Sequence, residues 1–95
     1  MSAQKLFTPL AAKVAAGDET ANASNISSAT YVLVQNPANA DTDYLVTLEA
    51  GATGVVQGTF TIMGQESVSI KKSPTDEIWA ANTAVDFTKV MVTEG

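Results

Sequence analysis

The sequence predicts an all-β protein, an antiparallel β-sandwich of immunoglobulin-like or jelly-roll-like type, with about six to seven short strands behind an extended N-terminal arm. From Thr30 onward, runs of β-branched and aromatic residues alternate with clusters of Gly, Pro, Asn and Asp, the pattern of short antiparallel strands joined by turns. Several runs also alternate apolar with polar residues, which gives a strand one core face and one wet face. At 95 residues the chain is one domain, able to bury roughly 60 to 68% of the surface its unfolded form exposes.

Residues 1–29 read as the arm and an Asn-, Ser- and Ala-rich link, and residues 30–95 as the sandwich. Two readings of the beginning stand side by side. Thr8, Pro9 and Gly17 fit a short helix with an N-cap, a proline at its first position and a C-terminal glycine. An extended arm with a short strand near Leu10 to Ala15, followed by "ANASNISSA", is favoured because a lone helix of about eight residues has little stability of its own. Both readings leave Leu6 and Phe7 without an apolar cover, and with Leu10 they are candidate partner contacts.

The strands follow in order. "TYVLVQ" is apolar on both faces, as a central strand is, and ends at "NPANADTD". In "YLVTLEA", Tyr44, Val46 and Leu48 take the core face, while Leu45, Thr47 and Glu49 point outward. "VVQGTFTIM" alternates at Phe60 and Ile62, and Gly58 inside it marks a bulge or a close backbone approach. "SVSIKK" sends Val68 and Ile70 inward and ends at the turn "SPTD"; "EIWAA" and "FTKVMVTE" complete the set. "GATG" and "GQE" read as hairpin turns, since neither has a phosphate-cradling pattern or a following helix.

Composition narrows function. The net charge is -5 and every basic residue is lysine, so nucleic-acid binding is disfavoured by sign and by the lack of planar, bidentate arginine. With no cysteine and no histidine, the common zinc and copper ligands, disulfides and the commonest general base are missing, and no cofactor or metal is expected. The stretch "MSAQKLFTPLAAKVAAGDET" is too interrupted for a signal-peptide core and far short of a membrane span of ~20 residues; no membrane partner is expected. A charged fraction of 16%, against the usual ~25%, leaves a Thr-, Ser-, Asn- and Ala-rich surface suited to repeated contact.

Candidate chemistry is sparse. Asn39, Asp41 and Asp43 alternate like the opening of a calcium loop, but Tyr44 and Ala50 occupy the places of its Gly and Glu, so a strand-connecting turn is the better reading. Serines and threonines have only carboxylates and lysines as bases, and no Ser-x-x-Lys or Gly-x-Ser-x-Gly stretch is present. Glu49, Glu66 and Glu77 are the carboxylates available for glycoside cleavage, with nothing placing two across a cleft. The expectation is a non-enzyme, with no catalytic residue. Asn22 with Ser24, and Asn25 with Ser27, form glycosylation sequons of the kind an Asn- and Ser-rich link produces by chance. Trp79 lies opposite Ile78 on its strand. If Ile78 faces the core, the indole is semi-exposed and a candidate interface anchor; simple core packing is the competing reading.

"YVLVQNP", "DYLVTLE", "GTFTIMGQESVSIKKSPTDEIWAA" and the closing "FTKVMV" together resemble small virion proteins of marine tailed bacteriophages, most specifically at Val68, Ile70, Lys72, Pro74, Thr75 and Asp76. The resemblance covers about two thirds of the chain. It implies a viral structural protein, a capsid decoration or cement protein that clamps a shell from outside, with the major capsid protein and copies of itself as partners. It also implies synthesis in the host cytoplasm and residence on the virion surface. A tail or fibre component is the neighbouring alternative. A small immunoglobulin-like or carbohydrate-binding module, with Trp79 and Tyr44 stacking on sugar rings, is the rival from another class.

Overall fold

Each run of alternating residues from Thr30 onward becomes a strand in the computed structural model, which describes residues 5–51 and 53–94. The strands are β1 Lys5–Pro9, β2 Val14–Ala15, β3 Tyr31–Gln35, β4 Tyr44–Glu49, β5 Val56–Ile62, β6 Ser67–Lys71, β7 Glu77–Ala80 and β8 Asp86–Glu94. They form two antiparallel sheets packed as a sandwich. One has the order β1-β8-β3-β6, with β2 also paired to β8; the other has the order β5-β4-β7.

The core lies between the sheets. Val32, Val34 and Phe87 from the first sheet meet Val46, Ile62 and Ile78 from the second, none more than 1% exposed. Tyr44, Leu48, Phe60, Val68 and Ile70 pack against this cluster, so the expected inward faces of β4, β5 and β6 are the observed ones. β3 is central, between β8 and β6. The bulge expected at Gly58 is present: Leu48 pairs with Gly58 but Glu49 with Val56, leaving Gln57 as the extra residue.

The segment before residue 30 is extended, with a short strand at Val14–Ala15 inside the expected Leu10 to Ala15, but it packs into the sandwich and is not a separate arm. No helix forms from Thr8 to Gly17. Lys5–Pro9 pairs instead with the far end of the chain, Lys5 opposite Glu94, and Val14–Ala15 pairs with Phe87 and Asp86. Ala16, Ile26 and Ala29 enter the core. Between them the chain covers the outer edge of β7. Ile78 and Ser24 exchange backbone hydrogen bonds of 2.9 and 3.2 Å, and the Ala80 N–H donates to the Gly17 carbonyl at 2.9 Å. The packing therefore does not divide at residue 30: the link supplies core side chains and closes a sheet edge that would otherwise stay open.

Tightening this link requires backbone strain. Ile26, Ser27 and Ser28 have φ of 52, 55 and 58°, a left-handed turn that costs roughly 1 to 2 kcal/mol per residue for L-amino acids. Local hydrogen bonds hold it: Ile26 N–H to Ser24 Oγ, Ser28 N–H to Asn25 Oδ1, and Ala29 N–H shared between the Asn25 and Ile26 carbonyls. The turn drives the Ile26 side chain into the core, where it is 5% exposed.

Candidate interaction surface

β8 is nine residues long, but β3 pairs only with its first half, ending at Tyr31 opposite Val90. From Val90 to Glu94 its described strand partner is β1, so the two chain ends form a two-stranded ribbon. A ribbon of this kind is marginal in water unless its apolar side chains are covered. Here they are not. Leu6 is 53%, Phe7 42% and Met91 49% exposed, and Leu10, just beyond β1, is 53% exposed.

Register sorts these side chains onto two faces. Phe87 faces the core, so Lys89 and Met91 share its side of β8, and Leu6 and Thr8 share it across the ribbon through their pairing with Thr93 and Met91. The opposite face turns away from the second sheet. It carries Phe7 beside Val92, Pro9 beside Val90, and Tyr31 and Leu33 on β3. Flanked by Pro9 and Tyr31, Val90 is only 3% exposed although no sheet lies over it. A continuous apolar row thus runs across the outer face of the five-stranded sheet onto the ribbon. The sequence alone does not single out its members on β3 and β8, although the two-faced apolar run "TYVLVQ" is their signal.

Trp79 lies elsewhere, on the outer face of the three-stranded sheet. Ile78 is fully buried, so the indole is half-buried on the other side. Its Nε1 donates to Glu49 Oε2 at 3.1 Å, and the Thr20 hydroxyl donates to the same oxygen at 3.3 Å. Leu6, Phe7 and Leu10 thus lie on or next to one strand, with Leu6 and Phe7 on opposite faces of the ribbon, and Trp79 lies apart from them. Tyr44 packs on the core side of the same sheet, so Trp79 and Tyr44 form no shared stacking platform.

Glu49 corrects the expectation that it points into water. It is on the outer face, yet it is fully buried, and Thr47 beside it is 3% exposed. The cover is the short 3-10 turn Thr20–Asn22, which brings Thr20 down onto the carboxylate. Oε1 of Glu49 has no partner among the described residues, and Glu77 is its cross-strand neighbour.

Lys72 is a second correction, since the end of a β6-to-turn segment is an exposed place by pattern. It is 5% exposed, and its Nζ donates to the Ala29 carbonyl at 2.8 Å and to Ser73 O at 3.2 Å. Burial lowers its pKa below the ordinary lysine value of 10.5, against the opposing attraction of Asp76 and Glu77. It lines an open cleft of about 450 Å³ with Lys71, Asp76, Gln57 and Leu48. At another place Lys13, paired with Asp86 at 3.5 Å, lines a polar cleft of about 280 Å³ with Gln35, Asn36 and Gln65.

The remaining candidates have structural duties. Asp43 Oδ1 accepts the Gly64 N–H across the open end of the β4–β5 pair, and Glu66 Oε1 accepts the Met63 N–H across a turn. Asn36 is buried, with its amide donating to the Thr42 and Ile62 carbonyls and its Oδ1 accepting from Ala38. Asn25 is the side chain that closes the left-handed turn. Among the described residues no three Asp or Glu side chains gather as a metal site, and no helix is long and apolar enough to cross a membrane. No protein-family model, curated protein or solved structure matches the chain.

Proposed function

We propose that this chain is a structural protein of a bacteriophage particle, one that binds the outside of an assembled shell and clamps neighbouring capsid subunits. The observation that supports it is the β1–β8 ribbon with its uncovered Leu6, Phe7, Leu10 and Met91. Apolar side chains gathered on a projecting element mark a protein-contact surface. Covering Leu6 and Phe7 fully contributes roughly half of the 1.5 to 3 kcal/mol that complete burial of each is worth, because about half of each is already out of water. Many such contacts on one particle act together through avidity.

The partners under this reading are the major capsid protein and further copies of the chain, and the activity is mechanical. Trp79 supports the carbohydrate-binding rival poorly, because its indole N–H is already engaged by Glu49. The test is to mix purified protein with assembled shells that lack it and sediment the mixture. Saturable co-sedimentation is expected with intact shells and none with unassembled capsid subunits; a protein that stays in the supernatant overturns the proposal.

A further inference from the structure

We infer that β5 is a self-pairing edge, and that two copies of this chain join their three-stranded sheets through antiparallel β5–β5 pairing about a two-fold axis at Phe60. The hydrogen-bond pattern defines the edge. Leu45 O accepts from Ala81 N–H, so Leu45 and Thr47 direct their backbone groups toward β7, while Tyr44, Val46 and Leu48 direct theirs toward β5. Their partners Ile62, Phe60 and Gly58 face back. The N–H and C=O groups of Thr59 and Thr61 therefore point away from the sheet, with no partner among the described residues.

The edges at β1, β6 and β7 are covered or less suited to a further strand. On β1, the Leu10 N–H to Lys89 carbonyl bond turns Phe7 and Pro9 outward, and Pro9 has no donor to offer. β6 ends in the exposed Lys71, a charge of the sort that discourages strand addition. β7 is covered by Gly17 and Ser24. β5 has neither proline nor lysine, and from Ala50 to Gln65 the sequence contains no charged residue at all. Its bulge disturbs only the beginning, around Gln57; from Gly58 to Ile62 the pairing is regular.

A second copy is the occupant that the edge itself fits, because an antiparallel two-fold pairs the strand with its own outward backbone groups. The net charge of -5 opposes association of two copies, and the uncharged stretch from Ala50 to Gln65 is where they approach without setting like charges against each other. The two-fold at Phe60 places Thr59 of each copy opposite Thr61 of the other, which satisfies all the outward backbone groups of both residues. It also sets the half-buried Phe60 side chains side by side, an aromatic cross-strand pair. Val56 and Met63, each 55% exposed, lie at the ends of the paired stretch. The interface stands apart from the β1–β8 ribbon and does not depend on the shell-binding reading.

The test uses the full chain and sedimentation equilibrium. Wild type is expected to be a concentration-dependent dimer. Thr59 and Thr61 are exposed on the outer face, so T59K/T61K should keep the wild-type circular dichroism, and its melting temperature at concentrations where both chains are monomeric, while its dimer dissociation constant rises by roughly tenfold or more. T59K/T61E places each new lysine opposite a new glutamate of the other copy, and only in this register; its dimer should recover. A wild type that remains monomeric at the highest soluble concentration, an oligomer other than a dimer, or a T59K/T61E chain as monomeric as T59K/T61K overturns the inference.

Discussion

Replacing Leu6 and Phe7 together by serine separates the fold from the contact surface. Leu6 is 53% and Phe7 42% exposed, so about half of each side chain stabilises the monomer and the other half is available to a partner. Full burial of such a side chain is worth roughly 1.5 to 3 kcal/mol. The double variant should therefore lose about 1.5 to 3 kcal/mol of folding stability, and a similar amount from binding at each shell site, a factor of roughly 10 to 150 in affinity per site. Thermal melting measures the first loss, and titration of assembled shells with labelled protein measures the second. Ile78→Ala is the control: Ile78 is fully buried, so its truncation should cost 2 to 5 kcal/mol of stability, roughly, while the affinity of the folded fraction for shells stays at the wild-type value. A Leu6/Phe7 variant that melts lower but binds shells with wild-type affinity would refute the assignment of this ribbon as the contact.

Three further outcomes follow from the packing. Because burial lowers the Lys72 pKa, the unfolded chain binds more protons between the folded-state value and 10.5. Stability should rise with pH through that window, by at most 1.36 kcal/mol per unit, about one proton's worth, and denaturant titrations of Lys72→Met should show that rise abolished. Ser28→Gly removes a left-handed strain of roughly 1 to 2 kcal/mol against a glycine entropy cost of about 0.5 to 1, so urea midpoints should increase, whereas Ser28→Val should lower them. Trp79→Phe takes the indole donor from Glu49 and should cost roughly 1 to 3 kcal/mol; a double-mutant cycle with Glu49→Ala should give a coupling of about 0.5 kcal/mol or more, and coupling indistinguishable from zero refutes the pairing.

Much of this fold is legible in the sequence because strands announce themselves locally. "YVLVQ", "SVSIK" and "EIWA" carry period two, β-branched residues and flanking turn residues, and each is a strand within a residue of its reading. What was not legible depends on partners distant in sequence. β1 is held by β8 across almost the whole chain, and nothing within residues 5–9 records that. Glu49 alternates as an outward residue and does point outward; its burial comes from Thr20, which lies 29 positions earlier. Lys72 is drawn in by the Ala29 carbonyl, 43 positions away. The Asn- and Ser-rich link reads as a tether by composition, yet its left-handed turn delivers Ile26 to the core.

The candidate contact shows the same division. Leu6, Phe7 and Leu10 are identifiable in the sequence as apolar residues without local cover. That Val92 and Tyr31 extend the surface of Phe7 across the sheet emerges only from the register of β8 between β1 and β3. Trp79, the most conspicuous side chain in the sequence, is tied into the molecule by Glu49 and lies apart from the ribbon.

The central claim, that this chain coats a shell through the β1–β8 ribbon, is tested most directly by imaging particles that contain it and measuring its occupancy and orientation. The copy number should scale with the capsid subunits, and density should place Leu6, Phe7 and Leu10 against the shell. Density confined to a tail or fibre, or a shell-bound chain with the ribbon turned to solvent, would contradict the claim.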